Sequence, residues 1–98
     1  MKELIAGIYE DHRSFLDRYT VVLRNPVTVM GRCLHQAFSL DADGKNPHWL
    51  MVFYSSQDEN EHLGRQVEFE ELPEKIKEAI RNELKEFKKG GQRWITGK

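Results

Sequence analysis

Leu72-Pro73-Glu74-Lys75-Ile76-Lys77-Glu78-Ala79-Ile80-Arg81-Asn82-Glu83-Leu84-Lys85-Glu86-Phe87-Lys88-Lys89 decides the fold of this chain. Leu72, Ile76, Ala79, Ile80, Leu84 and Phe87 recur at spacings of three and four, so they form one apolar stripe on a helix. Pro73 suits the first helical turn, where its missing N–H is no loss. Glu74 stands at the positive end of the helix dipole, and Lys88 and Lys89 at the negative end. Gly90-Gly91 then stops the helix. Such a stripe must be covered, so the residues upstream have to supply a platform.

Those residues read as strands. Just before the helix, Gln66-Val67-Glu68-Phe69-Glu70 alternates polar and apolar, a half-buried strand with Val67 and Phe69 inward. Gly64 permits a tight turn into it, and Leu72-Pro73 ends it. Trp49-Leu50-Met51-Val52-Phe53-Tyr54 is apolar without alternation, which predicts a central strand covered on both faces. Tyr19-Thr20-Val21-Val22-Leu23 is β-branched and predicts a third. Residues 33–40 fit helix or strand. The turn-rich loop Asp41-Ala42-Asp43-Gly44-Lys45-Asn46-Pro47 favours a hairpin joining them to 49–54. Leu4-Ile5-Ala6-Gly7-Ile8-Tyr9 stays open between strand and short helix, with Gly7 against the helix. The expectation is an α+β fold: a small antiparallel sheet of three to five strands with the C-terminal amphipathic helix packed on one face. Residues 1–89 form a single domain, and 90–98 a flexible basic tail.

The composition agrees with this plan. The chain has 98 residues, 39% hydrophobic and 32% charged, enough for one modest core and a solvated surface. Net charge is −1, so no global field attracts nucleic acid or an anionic membrane. The charge is nonetheless segregated. Asp58, Glu59, Glu61, Glu68, Glu70, Glu71 and Glu74 crowd residues 57–74 beside a single base, Arg65. Residues 75–98 hold eight basic side chains and three acidic ones. Solvated faces of a strand and a helix explain most of this. Cys33 is the only cysteine, which rules out an internal disulfide and a cysteine-rich zinc site. No run is long enough to span a membrane, and Met1-Lys2-Glu3-Leu4 does not open a signal peptide. A cytoplasmic location is the expectation.

Each chemical motif has a plainer explanation. Asp41-Ala42-Asp43-Gly44-Lys45-Asn46 spaces oxygen ligands like a calcium loop, but Val52 stands where the closing bidentate glutamate belongs. It reads as a hairpin loop. Cys33, His35, His48 and His62 lack metal-ligand spacing, so neither a metal nor any other cofactor is expected. Cys33 reads as a buried structural cysteine. Ser55, Ser56, Asp58 and His62 have the residue types of a hydrolase triad but share one polar loop, which cannot fix triad geometry. The basic stretch ending the chain is more suggestive. Lys85, Lys88, Lys89 and Arg93 could track phosphates and Trp94 could stack on a base. Asp58, Glu59, Glu61, Glu68 and Glu70 form the complementary candidate, an acidic patch for a basic protein surface.

Asp17-Arg18-Tyr19-Thr20-Val21-Val22-Leu23 and His62-Leu63-Gly64-Arg65-Gln66-Val67-Glu68-Phe69-Glu70-Glu71-Leu72-Pro73 resemble a group of small uncharacterised bacterial proteins, often carried by phages and plasmids. That group has a DRYTVV-like strand, a central loop, an HLG segment and a strand ending in a Leu-Pro helix start. The resemblance runs in order over residues 17–87, although Asp41–Pro47 departs from the Pro and Gly pair usual in the group's loop. It implies a bacterial or mobile-element origin and no particular activity. Three functions follow as expectations. The first is a non-enzymatic protein-binding module with a protein partner or a second copy of itself. The second is a nucleic-acid binder using Lys85–Lys98. The third is a small hydrolase-type enzyme using His48, His62 and nearby acids.

Overall fold

A computed structural model of the chain describes residues 4–52 and 63–90. Among the described residues five strands, β1 (Ile5–Glu10), β2 (Tyr19–Val29), β3 (Arg32–Leu40), β4 (His48–Val52) and β5 (Arg65–Val67), precede one long helix, α1 (Glu74–Gly90). The strands form one antiparallel sheet in the order β4-β3-β2-β1-β5. Meander connectivity dominates because short turns join strands that are neighbours in the chain. The β2–β3 turn is Met30-Gly31, with φ of 51° and 79°. Positive φ at both central residues matches the right-handed twist of the two strands. No helix among the described residues is long and apolar enough to cross a membrane.

The stripe is used as its period predicts. Ile76, Ile80, Leu84, Phe87 and Leu72 are buried in one cluster with Ile8, Val21, Leu23, Phe38, Leu40 and Val67 from the sheet, and Ala79 packs against it. Each fully buried Ile or Leu contributes about 1.5–3 kcal/mol relative to exposure. Trp49 locks the arrangement. Its ring stacks on Phe87 at 5.4 Å and lies 4.9 Å from Phe38, while its Nε1–H donates to Glu83 Oε1 at 2.7 Å. Strand alternation sends the intervening residues to the other face. There Tyr9, Val22, Ala37 and Val52 form a second, smaller cluster, flanked by Ala6, Leu50 and Leu63.

The N-terminal stretch left open by its sequence is strand β1, paired on both edges. Residues 33–40 are likewise strand, within β3, and hairpin with β4 as expected. Four expectations are corrected. β4 is not central: it ends the order of described strands and is only partly buried over most of its length. The strand expected over 66–70 is cut short: sheet pairing covers only Arg65–Val67. The Glu68 N–H donates to Glu71 Oε1 at 3.0 Å and turns Phe69–Glu71 into a 3-10 segment, so Phe69 meets the core from a turn. Pro73 lies one residue outside α1, with its carbonyl accepting from the amides of Ile76 and Lys77. Cys33 is exposed, because it lies on a part of β3 that no third described strand or helix covers.

That part is the main feature missed by the sequence reading, which ends the strand at Leu23. β2 continues through Arg24-Asn25-Pro26 to Val29. The register shifts between Val22 and Pro26, and beyond the shift Pro26, Val27, Thr28 and Val29 pair with His35, Leu34, Cys33 and Arg32. Proline is tolerated because an irregular, edge-like stretch asks for no ladder hydrogen bond from its nitrogen. Among the described residues, β1 pairs no further along β2 than Leu23, and β4 no further along β3 than His35. Among the described residues, 24–34 therefore form a two-stranded arm beyond the other strands.

Gln36 sits at the arm's base on the α1 side of the sheet, two residues from Phe38. It is fully buried, and neither Oε1 nor Nε2 has a hydrogen-bond partner among the described residues. Buried polar atoms without partners are costly. The unbranched, similarly sized Gln36→Met is expected to raise stability by about 1–2 kcal/mol, read as a higher urea midpoint at unchanged m-value.

Candidate functional site

Two loops meet at the end of the sheet opposite the arm. Residues 11–18 connect β1 to β2, and residues 41–47 connect β3 to β4. The Ala42 amide donates to the Phe15 carbonyl at 2.8 Å, which ties the loops together. Within the first, Asp11 Oδ1 accepts from the Arg13 amide at 3.0 Å and its Nε at 3.2 Å. The Arg13 backbone N–H is the main cause holding the Asp11 carboxyl below its usual range, and the guanidinium adds to it. Arg18 Nε donates to Glu10 Oε2 at 3.0 Å and anchors the loop's far end. Phe15 and Leu16 between them are largely exposed.

The second loop is organised by one carboxylate. Asp41 is buried, and its Oδ1 accepts from the amides of Asp43 at 2.9 Å and Lys45 at 2.8 Å. Oδ2 accepts from Asn46 Nδ2 at 3.0 Å. Asp41 thus spends its oxygens on closing the turn, as a hairpin-loop reading requires. Among the described residues no group of three or more His, Cys, Asp and Glu side chains is arranged to hold a metal ion. The Lys45 backbone N–H is the first cause lowering the Asp41 pKa below 3.8. Burial opposes it, and Asn46 and the Asp43 amide assist. A carboxyl lowered on folding stabilises the fold fully above its unfolded pKa and loses that contribution as pH falls through the folded value. Thermal midpoints measured from pH 5 to about pH 2 should therefore fall more steeply in the wild type than in Asp41→Asn. A variant with the wild-type acid profile would remove Asp41 from that role.

Where the loops rejoin the sheet, a cavity of about 330 Å³ opens on the face away from α1. Its polar wall is Asp11, Ser14, Asp17, Thr20, Ser39 and His48, and Leu50 and Leu63 supply an apolar side. Register explains the gathering: Thr20 pairs with Ser39, and Ser39 with His48, so all three share a face. Ser39 Oγ donates to Asp17 Oδ1 at 2.9 Å, and the Asp17 amide donates to Ser14 Oγ at 3.1 Å. A serine whose proton goes to a carboxylate instead of an imidazole is not set up as a nucleophile.

The sequence-derived candidates fare unevenly. Lys85 is exposed on α1, and Lys88 and Lys89 occupy its last turn. Arg93 and Trp94 lie outside the described residues, as do the tail from 91 to 98, the proposed triad members Ser55, Ser56, Asp58 and His62, and the acids Glu59 and Glu61. Glu68 and Glu70 are exposed near β5, yet Lys77 Nζ and the Arg81 guanidinium stand 5.9 and 5.6 Å from the centre of the adjacent Phe69 ring. The described part of the acidic patch is therefore neighboured by cations. His35 is half-buried, and its Nδ1–H donates to the Leu23 carbonyl at 2.7 Å, a structural bond at the arm's base. Of the described enzyme candidates only His48 reaches the cavity. Ser14, Asp17, Thr20 and Ser39 were missed, since no local spacing signals a set assembled by strand register and a loop folded onto it. Compared with family models, curated proteins and solved structures, the chain matches none.

Proposed function

We propose that this chain is a non-enzymatic protein-binding module, of the bacterial or mobile-element origin its motifs suggest, with the arm at residues 24–34 as its contact element. One observation carries the reading. The arm extends past every described neighbouring strand and ends in Met30, which is 96% exposed. A lone two-stranded ribbon is marginal in water, so a surface that packs on it stabilises both partners. Methionine adapts to irregular apolar slots, and the arm's edges can accept an added strand.

A second reading has its own support. No acidic residue occurs from Arg18 to Leu40, and Arg24 and Arg32 flank the arm, both exposed. A two-stranded ribbon fits the major groove, and basic side chains track phosphates.

Met30→Glu separates the two. Its thermal midpoint should match the wild type, because an exposed tip contributes little to stability. Binding of a captured protein partner should weaken about tenfold or more, since a charge would enter an apolar slot. Raising salt should leave the wild-type interaction largely intact. A partner retained unchanged by Met30→Glu overturns the arm's role. Steep salt dependence with mixed DNA or RNA favours the nucleic-acid reading instead. Arm-dependent dimers in sedimentation identify the partner as a second copy.

A further inference from the structure

We propose that the arm has two registers, and that the bulge at its root stores two residues that pass to its tip when β2 slides along β3. The device belongs to the arm whatever surface it meets. Val22 pairs with Ala37 and Pro26 with His35, so Leu23, Arg24 and Asn25 stand opposite Gln36 alone. β2 thus carries two residues more than an even ladder needs. Among the described residues, β1 holds β2 as far as Leu23, and β4 holds β3 as far as His35. Leu23 is also anchored in the core under α1. Only β2 beyond Leu23 can slide while the sheet stays in place. A slide of one residue would turn every side chain to the opposite face, but a slide of two keeps faces and hydrogen-bond directions. Continuing the register of Val22 and Ala37 puts Leu23 opposite Gln36, Asn25 opposite Leu34 and Pro26 opposite Cys33. Residues 28–31 then form the loop. Pro26 keeps its orientation, so its missing N–H is tolerated equally in both registers.

Two separate observations mark a cost in the bulged register. Met30 has φ of 51° in the two-residue turn, a conformation unfavourable for a residue with a side chain. A four-residue loop is most often built around a type I turn, whose central residues have negative φ. Gly31 remains for any left-handed position. The second cost is Gln36, whose buried amide has no partner among the described residues and which stands at the bulge itself. The slid register brings Asn25 diagonal to Gln36, within reach of a long side chain, and an asparagine can both donate and accept. Against these costs stands a latch. The His35 Nδ1–H donates to the Leu23 carbonyl at 2.7 Å and so ties β3 to the first residue of the bulge. A partner that fits one form of the tip would select the register that presents it.

The test is NMR on the full chain without a partner, so its outcome is separate from what the arm binds. Saturation-transfer spectra should show a second state, populated at about 0.1–10%, at the amides of residues 24–34 and not at 19–22 or 37–40. His35→Leu should raise that population severalfold to about tenfold, the worth of one hydrogen bond, and move the through-space contact of Cys33 from Thr28 to Pro26. Gln36→Met should lower it. A chemical trap is independent of both variants, because Cys33 is exposed and is the only cysteine. With oxidised glutathione, Pro26→Cys should close a disulfide to Cys33. In the bulged register the two are diagonal neighbours about 7–8 Å apart, too wide for the bond. Val27→Cys, on the opposite face, should not close. If His35→Leu leaves neither contact of Cys33, Pro26→Cys decides. A single state at 24–34 in the wild type, an unchanged Thr28–Cys33 contact in His35→Leu, or closure no faster in Pro26→Cys than in Val27→Cys would each overturn the second register.

Discussion

Phe38→Ala should remove about 3–5 kcal/mol of stability, which for a domain of this size is roughly a fifth or more of the total. Phe38 is fully buried between the sheet and α1. Its ring touches Trp49, which in turn stacks on Phe87 and donates to Glu83. Truncation would therefore remove a large apolar contact and also loosen the link between β4 and the helix. Neighbouring side chains are held by the sheet and by α1, so the space can close only in part, and the residual cavity adds to the loss. Urea unfolding followed by helix signal and by tryptophan fluorescence measures this directly. A loss below about 1 kcal/mol would show that the helix is not held by this interface.

Gly64→Ala is expected to be comparably severe for a different reason. Gly64 has φ of +109°, a region that residues with a side chain rarely adopt. A Cβ built there would overlap the Glu10 carbonyl oxygen and lie 2.6 Å from the Glu10 carbonyl carbon and 2.9 Å from Asp11 Cα. These are backbone atoms at the end of β1 and cannot rotate away. Glu10 and Arg65 are partners in the β1–β5 ladder, so relief must come from separating those strands. Conformational strain and overlap together should cost about 3 kcal/mol or more. Hydrogen exchange should show the loss first at the amides of β5 and the facing half of β1. Protection there equal to the wild type would show that the backbone absorbs the side chain elsewhere.

These two residues show how differently the fold was written into the chain. Gly64 was legible as a turn before a strand, but its contact with Glu10 spans more than fifty positions and has no local sign. Phe38 fitted helix and strand alike, and the turn formers at 41–47 settled the choice. The 24–34 arm was hidden because Arg24-Asn25-Pro26 reads as a break, and only its pairing with 32–35 makes it a strand. Cys33 reads as a buried structural cysteine, and its place on the arm exposes it. The cavity was least legible. Asp11, Thr20, Ser39, His48 and Leu63 come from separate segments: antiparallel register aligns Thr20, Ser39 and His48 on one face, and the flanking segments bring Asp11 and Leu63 to it.

The sequence by itself determined the helix, its buried stripe and the β character of its platform. Those depend on side-chain periodicity and turn chemistry, which act over a few residues and can be read locally. The tertiary structure decided which strand stands at the edge of the described order, how far the β2–β3 ribbon outruns its neighbours, and which polar groups converge. Those outcomes depend on register and coverage, which exist only once distant segments have chosen their partners.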